Sequence, residues 1–420
     1  MSRRLAIVAS HPVQYQAPFF RRLAERADLT VFFCQRHEPA LERTAGYTEG
    51  FSWDVPLTDG YRHEWLLNVA PRPSVDRFSG CDTPDIADRI AERAFDACIV
   101  QGWYLKSYAQ AILACRRYKV PVLLRGDSQL STTRSAMKRA IKYWPYRVLL
   151  NSVAGHLVVG SANREYLQHY AVPESKLFDV PHAVDDHWFA TQSRAARDTG
   201  TRERERAALG IPVGARVAVF VGRLVEMKRP LDFVRAMTDS VVPDGLWGLI
   251  VGSGPLERDA RALAESLGAR VRFAGFRNQR ALPSLYATAD MLVLPSDARE
   301  TWGLVANEAL ASGLPVIVSD AAGCARDLAV GDAGRCYHMG QISQLASAIV
   351  SMAAALDAAP EVVAEAVRQR STTYGCDAAV ASTMRAVESV SKAGRAPRDL
   401  APGVRSRTRL SSSRQTRHLN

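Results

Sequence analysis

No apolar run in this chain approaches the roughly 18 residues that a membrane-crossing helix needs, so the sequence offers no transmembrane segment. The seven cysteines, at positions 34, 81, 98, 115, 324, 336 and 376, include no Cys-x-x-Cys pair. An odd, scattered set with several members inside apolar runs fits reduced core thiols in a cytoplasmic protein rather than a disulfide framework. No His-Glu-x-x-His and no His/Cys cluster is present, so no metal and no other cofactor is expected. The opening Met1-Ser2-Arg3-Arg4-Leu5-Ala6-Ile7-Val8 is basic and then apolar. It is too short for a signal peptide and reads as a first core strand.

Acids are scarce at the far end. From Lys392 onward there are eight Lys/Arg and one acid, Asp399, so the tail holds +7 of the net +11 and leaves +4 for the rest. The overall charge is therefore no argument for nucleic acid, and no nucleic-acid partner is expected. The stretch 394–420 is poor in large apolar residues and is expected to be disordered. It is either a solvated tail or a peripheral contact with an anionic membrane, on the inner face. A second basic region, Arg134, Lys138 and Lys142 at i,i+4 spacing with Arg139, Tyr143, Trp144, Tyr146 and Arg147, has the same two readings. It suits an anionic membrane surface, or it is a solvated helix face followed by core aromatics.

What remains is an ordinary globular composition, 47% hydrophobic and 23% charged, in 420 residues, enough for two domains. Short apolar runs at Leu5 to Val8, Leu29 to Phe33, Ala97 to Val100, Val120 to Leu124 and Leu157 to Val159 alternate with helical patterns such as Ala17 to Ala27 and Tyr108 to Tyr118. The runs recur at Val217 to Val221, Trp247 to Val251, Val271 to Phe273, Met291 to Leu294 and Pro315 to Val318. Such alternation predicts βαβ units and parallel sheets. The fold class is α/β, with two doubly wound, Rossmann-like domains facing across a cleft. The expected boundaries are 1–190 for the first domain, 191–205 for a polar linker, 206–375 for the second domain, 376–393 for a last amphipathic helix and 394–420 for the tail.

Two carboxylates, Glu300 and Glu308, stand with seven residues between them. Glu300 is in the loop leaving a buried strand and Glu308 is on the following helix. That loop lies at the carboxyl end of a strand, where open α/β sheets bind ligands, and two carboxylates there can grip several hydroxyl groups. After the strand Val217 to Val221 comes Gly222-Arg223-Leu224-Val225-Glu226-Met227-Lys228-Arg229-Pro230. Arg223 and Lys228 present two cations from one loop, suited to the charge that grows on a leaving diphosphate. For Lys228 a surface charge at a helix start is the other reading.

These motifs occur with Val251-Gly252-Ser253-Gly254-Pro255, Phe273-Ala274-Gly275-Phe276 and Gly313-Leu314-Pro315-Val316 in one order. Over residues 205 to 340 the chain resembles the retaining glycosyltransferases of family 4, group 1 glycosyltransferases with the GT-B fold. The first half is similar in architecture only. The resemblance implies that Glu308 binds the donor ribose and that Glu300 lies near the transferred sugar. It implies that backbone N–H groups at Trp302, Gly303 and Leu304 face the diphosphate, and that Gly222, Phe276 and Arg277 border the nucleotide, the last two at the base. It further implies a front-face mechanism in which Glu300 is not a nucleophile. The donor would be a UDP- or GDP-sugar and the acceptor a hydroxyl of a glycan or lipid-linked acceptor. Other readings are an epimerase or phosphorylase on the same scaffold, and a non-catalytic sugar-nucleotide-binding protein.

The first domain departs from the family. The loop Ala9-Ser10-His11-Pro12-Val13-Gln14-Tyr15-Gln16-Ala17-Pro18 has no glycine, so His11, Gln14 and Gln16 are left to hydrogen-bond sugar or phosphate. Where relatives place a histidine, this chain has Arg125-Gly126-Asp127-Ser128. Asp127 either meets a sugar hydroxyl or assists the acceptor, or else Asp127 or Ser128 caps the next helix. Trp103 either stacks on a sugar or packs. Arg326 stands where relatives have glutamate, and His182 is expected to pack near the hinge.

Overall fold

Both faces of a parallel sheet are covered by helices, so its strands form where apolar residues run without interruption. The computed structural model describes residues 2–36, 52–131 and 136–393. In β1 (Arg4–Ala9) only Arg4 is exposed. Leu5, Ile7 and Ala9 enter one core and Ala6 and Val8 another, the two-residue alternation of a strand.

The first sheet continues with β2 (Asp28–Phe33), β3 (Arg62–Trp65), β4 (Ala97–Val100), β5 (Val122–Gly126), β6 (Gly155–Val158) and β7 (Leu177–Asp179), in the spatial order β3-β2-β1-β4-β5-β6-β7. The second contains β8 (Arg216–Val221), β9 (Leu246–Val251), β10 (Val271–Gly275), β11 (Met291–Leu294), β12 (Val316–Ser319) and β13 (Gly334–Tyr337), in the order β10-β9-β8-β11-β12-β13. Every pairing is parallel; Leu5 sits beside Leu29 and Ala97, and Leu292 beside Val219 and Val316. This is the expected α/β architecture of two doubly wound, Rossmann-like units, the GT-B fold. Strand order reverses between β1 and β4 and again between β8 and β11. The crevices that open there hold His11 after β1, Arg223 after β8 and Glu300 after β11.

Three strands carry no apolar-run signal: β3, β7 and β13. Each is a sheet edge, where one side lacks a neighbouring strand and polar residues are tolerated.

The stretch read as a polar linker is helical. Residues 191–198 and 201–205 lie in helices Asp186–Asp198 and Thr201–Ala208, which pack on the second sheet's helices. Two of its arginines have partners elsewhere in the fold: Arg197 donates to Ser312 O at 2.8 Å and Arg202 to Asp290 Oδ1 at 2.9 Å, and Arg206, the first residue of the expected second domain, joins them. Arg206 is buried and donates to Thr288 O at 2.8 Å, Ala215 O at 2.9 Å and Asp290 Oδ2 at 2.9 Å. Composition alone does not separate such an arginine from a solvated one. The last helix, Cys376–Ala393, returns to the first domain, where Ala379, Val380, Ala386 and Val387 join the core containing Leu5 and Ile7. No single described helix is long and apolar enough to cross a membrane. Arg134 and the 394–420 tail lie outside the described residues.

Candidate active site

Helix Leu304–Ala311 begins at Gly303, directly behind the loop from β11. Residues Ala306 to Ala311 are all buried, and Glu308 is among them at 6% exposure. Glu308 is thus no exposed helix carboxylate. Its Oε2 accepts a 2.8 Å hydrogen bond from the Tyr286 hydroxyl, and the Gln279 side chain also hydrogen-bonds to it. Burial raises its pKa to about 7 against the pull of those two bonds and of Lys228. Glu308 lines a cleft with Gly222, Arg223, Phe276 and Arg277 from the second domain and Gln14 from the first. Glu308, Gly222, Phe276 and Arg277 belong to the expected donor set, Arg223 is one of the two cations expected to act on the diphosphate, and Gln14 comes from the glycine-free loop.

The cations and the other glutamate meet at the same strand ends. Lys228 forms an ion pair with Glu300, both side chains nearly buried at 13% and 12% exposure. Ser296 Oγ donates to the same carboxylate oxygen at 3.1 Å. The surface-charge reading therefore fails for Lys228. Its neighbour Arg229 is half-buried and pairs with the buried carboxylate of Asp232 one turn on. Gly252 explains part of the glycine pattern. Its φ is +141°, and a Cβ there would stand 1.9 Å from Gly222 O, so the two loops can touch only as bare backbone.

Trp302 is buried, and its indole N–H donates to Asn307 Oδ1 at 2.8 Å. Asn307 in turn donates to His182 O at 3.0 Å, tying the helix start to the hinge. A helix start in general carries backbone donors without intrahelical acceptors and the positive end of a dipole. His182 is half-buried against Tyr15 and Trp302. Desolvation, then the charge of Arg125, hold its pKa well below the ordinary value, so the ring is neutral. A Cβ on Gly160 would lie 2.3 Å from the Trp302 ring, which is why glycine faces it across the domain boundary.

His11 is half-buried with Nδ1 3.0 Å from Ser10 Oγ. Asp127 neither caps the next helix nor stands alone. Gln129 to Ser131 are non-helical, which separates both Asp127 and Ser128 from any cap position, and Asp127 accepts a 2.6 Å bond from Thr301 Oγ1 across the cleft. Next to it, buried Gln129 donates to Ala298 O at 2.9 Å and Glu300 O at 3.0 Å. Two more bonds cross the same boundary. Asp327 accepts from Ser161 Oγ at 2.8 Å, and Arg326 donates to Glu165 Oε2 at 2.7 Å, so the residue that departs from the family is matched by an acid on the other domain. Trp103 stacks on Tyr166 at 6.1 Å and 21°, which is packing.

Sequence reasoning missed Tyr286, Gln279, Ser296, Thr301 and Gln129. Two carried a signal: Pro295-Ser296 directly precedes the Glu300 loop, and Tyr286, a tyrosine on a buried apolar helix, must find a partner for its hydroxyl.

Residues 201–361 match the family described as glycosyl transferases group 1. Over that segment, which covers most of the second domain, the chain is similar to the group 1 glycosyltransferases. A D-inositol 3-phosphate glycosyltransferase of Corynebacterium aurimucosum is 33% identical over 205 residues, covering 46% of this chain and 47% of that protein. The chain thus spans about half the length of the curated relatives it matches. Among solved structures, Anabaena Alr3699/HepE in complex with UDP superposes with a TM-score of 0.67 at 16% identity, over 92% of this chain and 100% of that one. Sucrose-phosphate synthase from Thermosynechococcus elongatus gives 0.67 at 17% identity, over 93% and 100%. At such identities the likeness is one of fold, and both partners share the two-domain GT-B arrangement. The group 1 region covers β8 to β13 and so includes Arg223, Lys228, Glu300 and Glu308, whereas His11 and Asp127 lie outside it.

Proposed function

We propose that this protein is a retaining glycosyltransferase that moves a hexose from a UDP- or GDP-sugar to a hydroxyl of a glycan or lipid-linked acceptor, at the cytoplasmic face of an anionic membrane. The observation that carries this reading is the placement of Glu308, buried in the group 1 region beside Gly222 and Arg223 and eight positions from the Lys228–Glu300 pair. A ribose diol donates two hydrogen bonds and suits a buried carboxylate acceptor. The diphosphate would then extend toward Arg223, Lys228 and the helix start at Gly303. Glu300 is held by Lys228 and Ser296, which lowers its value as a nucleophile and favours attack by the acceptor on the face the diphosphate leaves. A phosphate oxygen would take the acceptor proton. Contact between the domains excludes water, which would otherwise consume the donor.

Calorimetric titration with UDP, GDP and ADP tests the donor reading, and the anomeric configuration of the product by NMR tests retention. Binding without turnover of any donor would leave a sugar-nucleotide-binding protein instead. Turnover that needs no hydroxyl acceptor would leave an epimerase, or, if free phosphate is required, a phosphorylase. A separate prediction concerns Gln129. Its loss orphans carbonyl groups of the second domain, and an unsatisfied buried acceptor costs about 1–3 kcal/mol. Gln129→Ala is expected to lower kcat/KM for the donor about tenfold, equivalent to ~1.4 kcal/mol, and to lower the melting temperature of the free protein, in which the same bonds are made.

A further inference from the structure

The outward face of helix Ala136–Asn151 is apolar. Met137, Ile141, Trp144 and Val148 are 71%, 68%, 68% and 68% exposed. Their spacing of four, three and four places them in one stripe along the helix. The opposite face is already used. Tyr143 and Tyr146 pack on Tyr170, and Leu150 is fully buried. The aromatics of this segment are therefore divided, the tyrosines inward and Trp144 outward.

Charge flanks the stripe. The helix contains Lys138, Arg139, Lys142 and Arg147 and no acid, and the sequence has no Asp or Glu between Asp127 and Glu165. Lys142 lies 5.8 Å from the Tyr146 ring and Arg147 5.9 Å from the Trp144 ring. By helical phase these two cations stand on opposite sides of the apolar stripe. A second copy docked through the same face would bring like charges together without an acid to offset them. A convex apolar ridge with a tryptophan in it and cations at its flanks instead suits the boundary between lipid headgroups and acyl chains.

We infer that helix Ala136–Asn151 lies in the plane of an anionic bilayer, with Met137, Ile141, Trp144 and Val148 below the headgroups and Lys142 and Arg147 at the lipid phosphates. This assigns a surface to the peripheral membrane contact proposed above and rests on that part of the reading, not on the donor chemistry. Ala136 follows Gln129, which lies at the domain boundary, by seven positions. Docking by this helix would hold the acceptor side of the first domain against the lipid surface.

The test is co-sedimentation of the full chain with phosphatidylcholine vesicles, with and without phosphatidylglycerol. Wild type is expected to bind the anionic vesicles and to leave the neutral ones largely in solution. Ile141→Ser with Trp144→Ser is expected to weaken anionic-vesicle binding at least about tenfold, since each side chain loses its apolar burial. Lys142→Glu is expected to weaken it severalfold through charge alone, which keeps the test sharp if the double variant folds poorly. Truncation after residue 393 is expected to retain most of the binding. Equal binding by wild type and both variants overturns the inference, as does equal wild-type binding to neutral and anionic vesicles. Complete loss on truncation overturns it too, because the tail would then be the anchor. A wild-type dimer that ignores vesicles and dissociates in the double variant assigns the stripe to a second copy. A UDP titration on the same samples keeps failure of the donor reading separate, because neither substituted face touches the cleft.

Discussion

Transfer by the Arg223→Ala, Lys228→Ala double variant is expected to fall about a thousandfold or more, with donor affinity much less affected. Both cations follow β8 at the strand-order reversal, where the topology opens a crevice. A diphosphate carries part of its charge before the sugar bond breaks and gains more as it breaks. Fixed cations therefore stabilise the transition state more than the ground state. Removing one such preorganised donor typically costs a factor of about 10²–10³ in kcat. Lys228 needs a control, because it also neutralises the nearly buried Glu300 carboxylate. Removing one partner of such a pair is destabilising by itself. Adding Glu300→Gln to Lys228→Ala should restore the melting temperature without restoring transfer. Single-turnover rates beside calorimetric donor affinities decide the matter, and a double variant that transfers at the wild-type rate would sink the electrostatic account.

Donor affinity is expected to rise with pH up to about 7 and to level off above it, with Glu308 as the titrating group. Its carboxyl is raised to about 7 by burial, and ribose hydroxyls donate to the ionised form. Binding then selects the carboxylate, and each pH unit below that value weakens affinity by up to about tenfold. A nucleotide sugar has no titrating phosphate in this range, so the slope reports the protein. Glu308→Gln should abolish the slope and bind more weakly than wild type at high pH.

The same group sets a stability trend of known sign. Between the ordinary carboxyl value and about 7 the folded state holds a proton that the unfolded state has released. Stability is therefore greatest below the ordinary value and is lost as pH rises through about 7, by about 3 kcal/mol in full. In the absence of donor, Glu308→Gln should melt higher than wild type above pH 7, and the difference should shrink in acid. A pH-independent difference would mean that Glu308 is already ionised in the free protein.

Much of this was legible locally. Met291 to Leu294 as a strand, the helix that ends at Gly313, and the cation-bearing loop after Val221 all follow from apolar runs, helical spacing and glycine position. These are properties of neighbours in sequence, with periods of two or 3.6 residues. The partners of the arginines in and just after the linker stretch stayed hidden for the same reason. Arg202 and Arg206 look like solvent-facing residues until Asp290, more than 80 positions away, supplies their partner. Likewise Glu308 carries no local mark of burial, and the Tyr286 hydroxyl and Gln279 that hold it come from other elements.

The sequence by itself determined the two α/β halves, ten of the thirteen described strands, and which loops carry cations and carboxylates, because hydrophobic periodicity is a local property. Only the tertiary structure decided that Lys228 pairs with Glu300, that Asp127 bonds Thr301 across the cleft, and that Trp144 faces outward while Tyr143 and Tyr146 face in. Those outcomes depend on which strands lie side by side and how the two domains meet. Such contacts join residues far apart in the chain, and no periodicity records them.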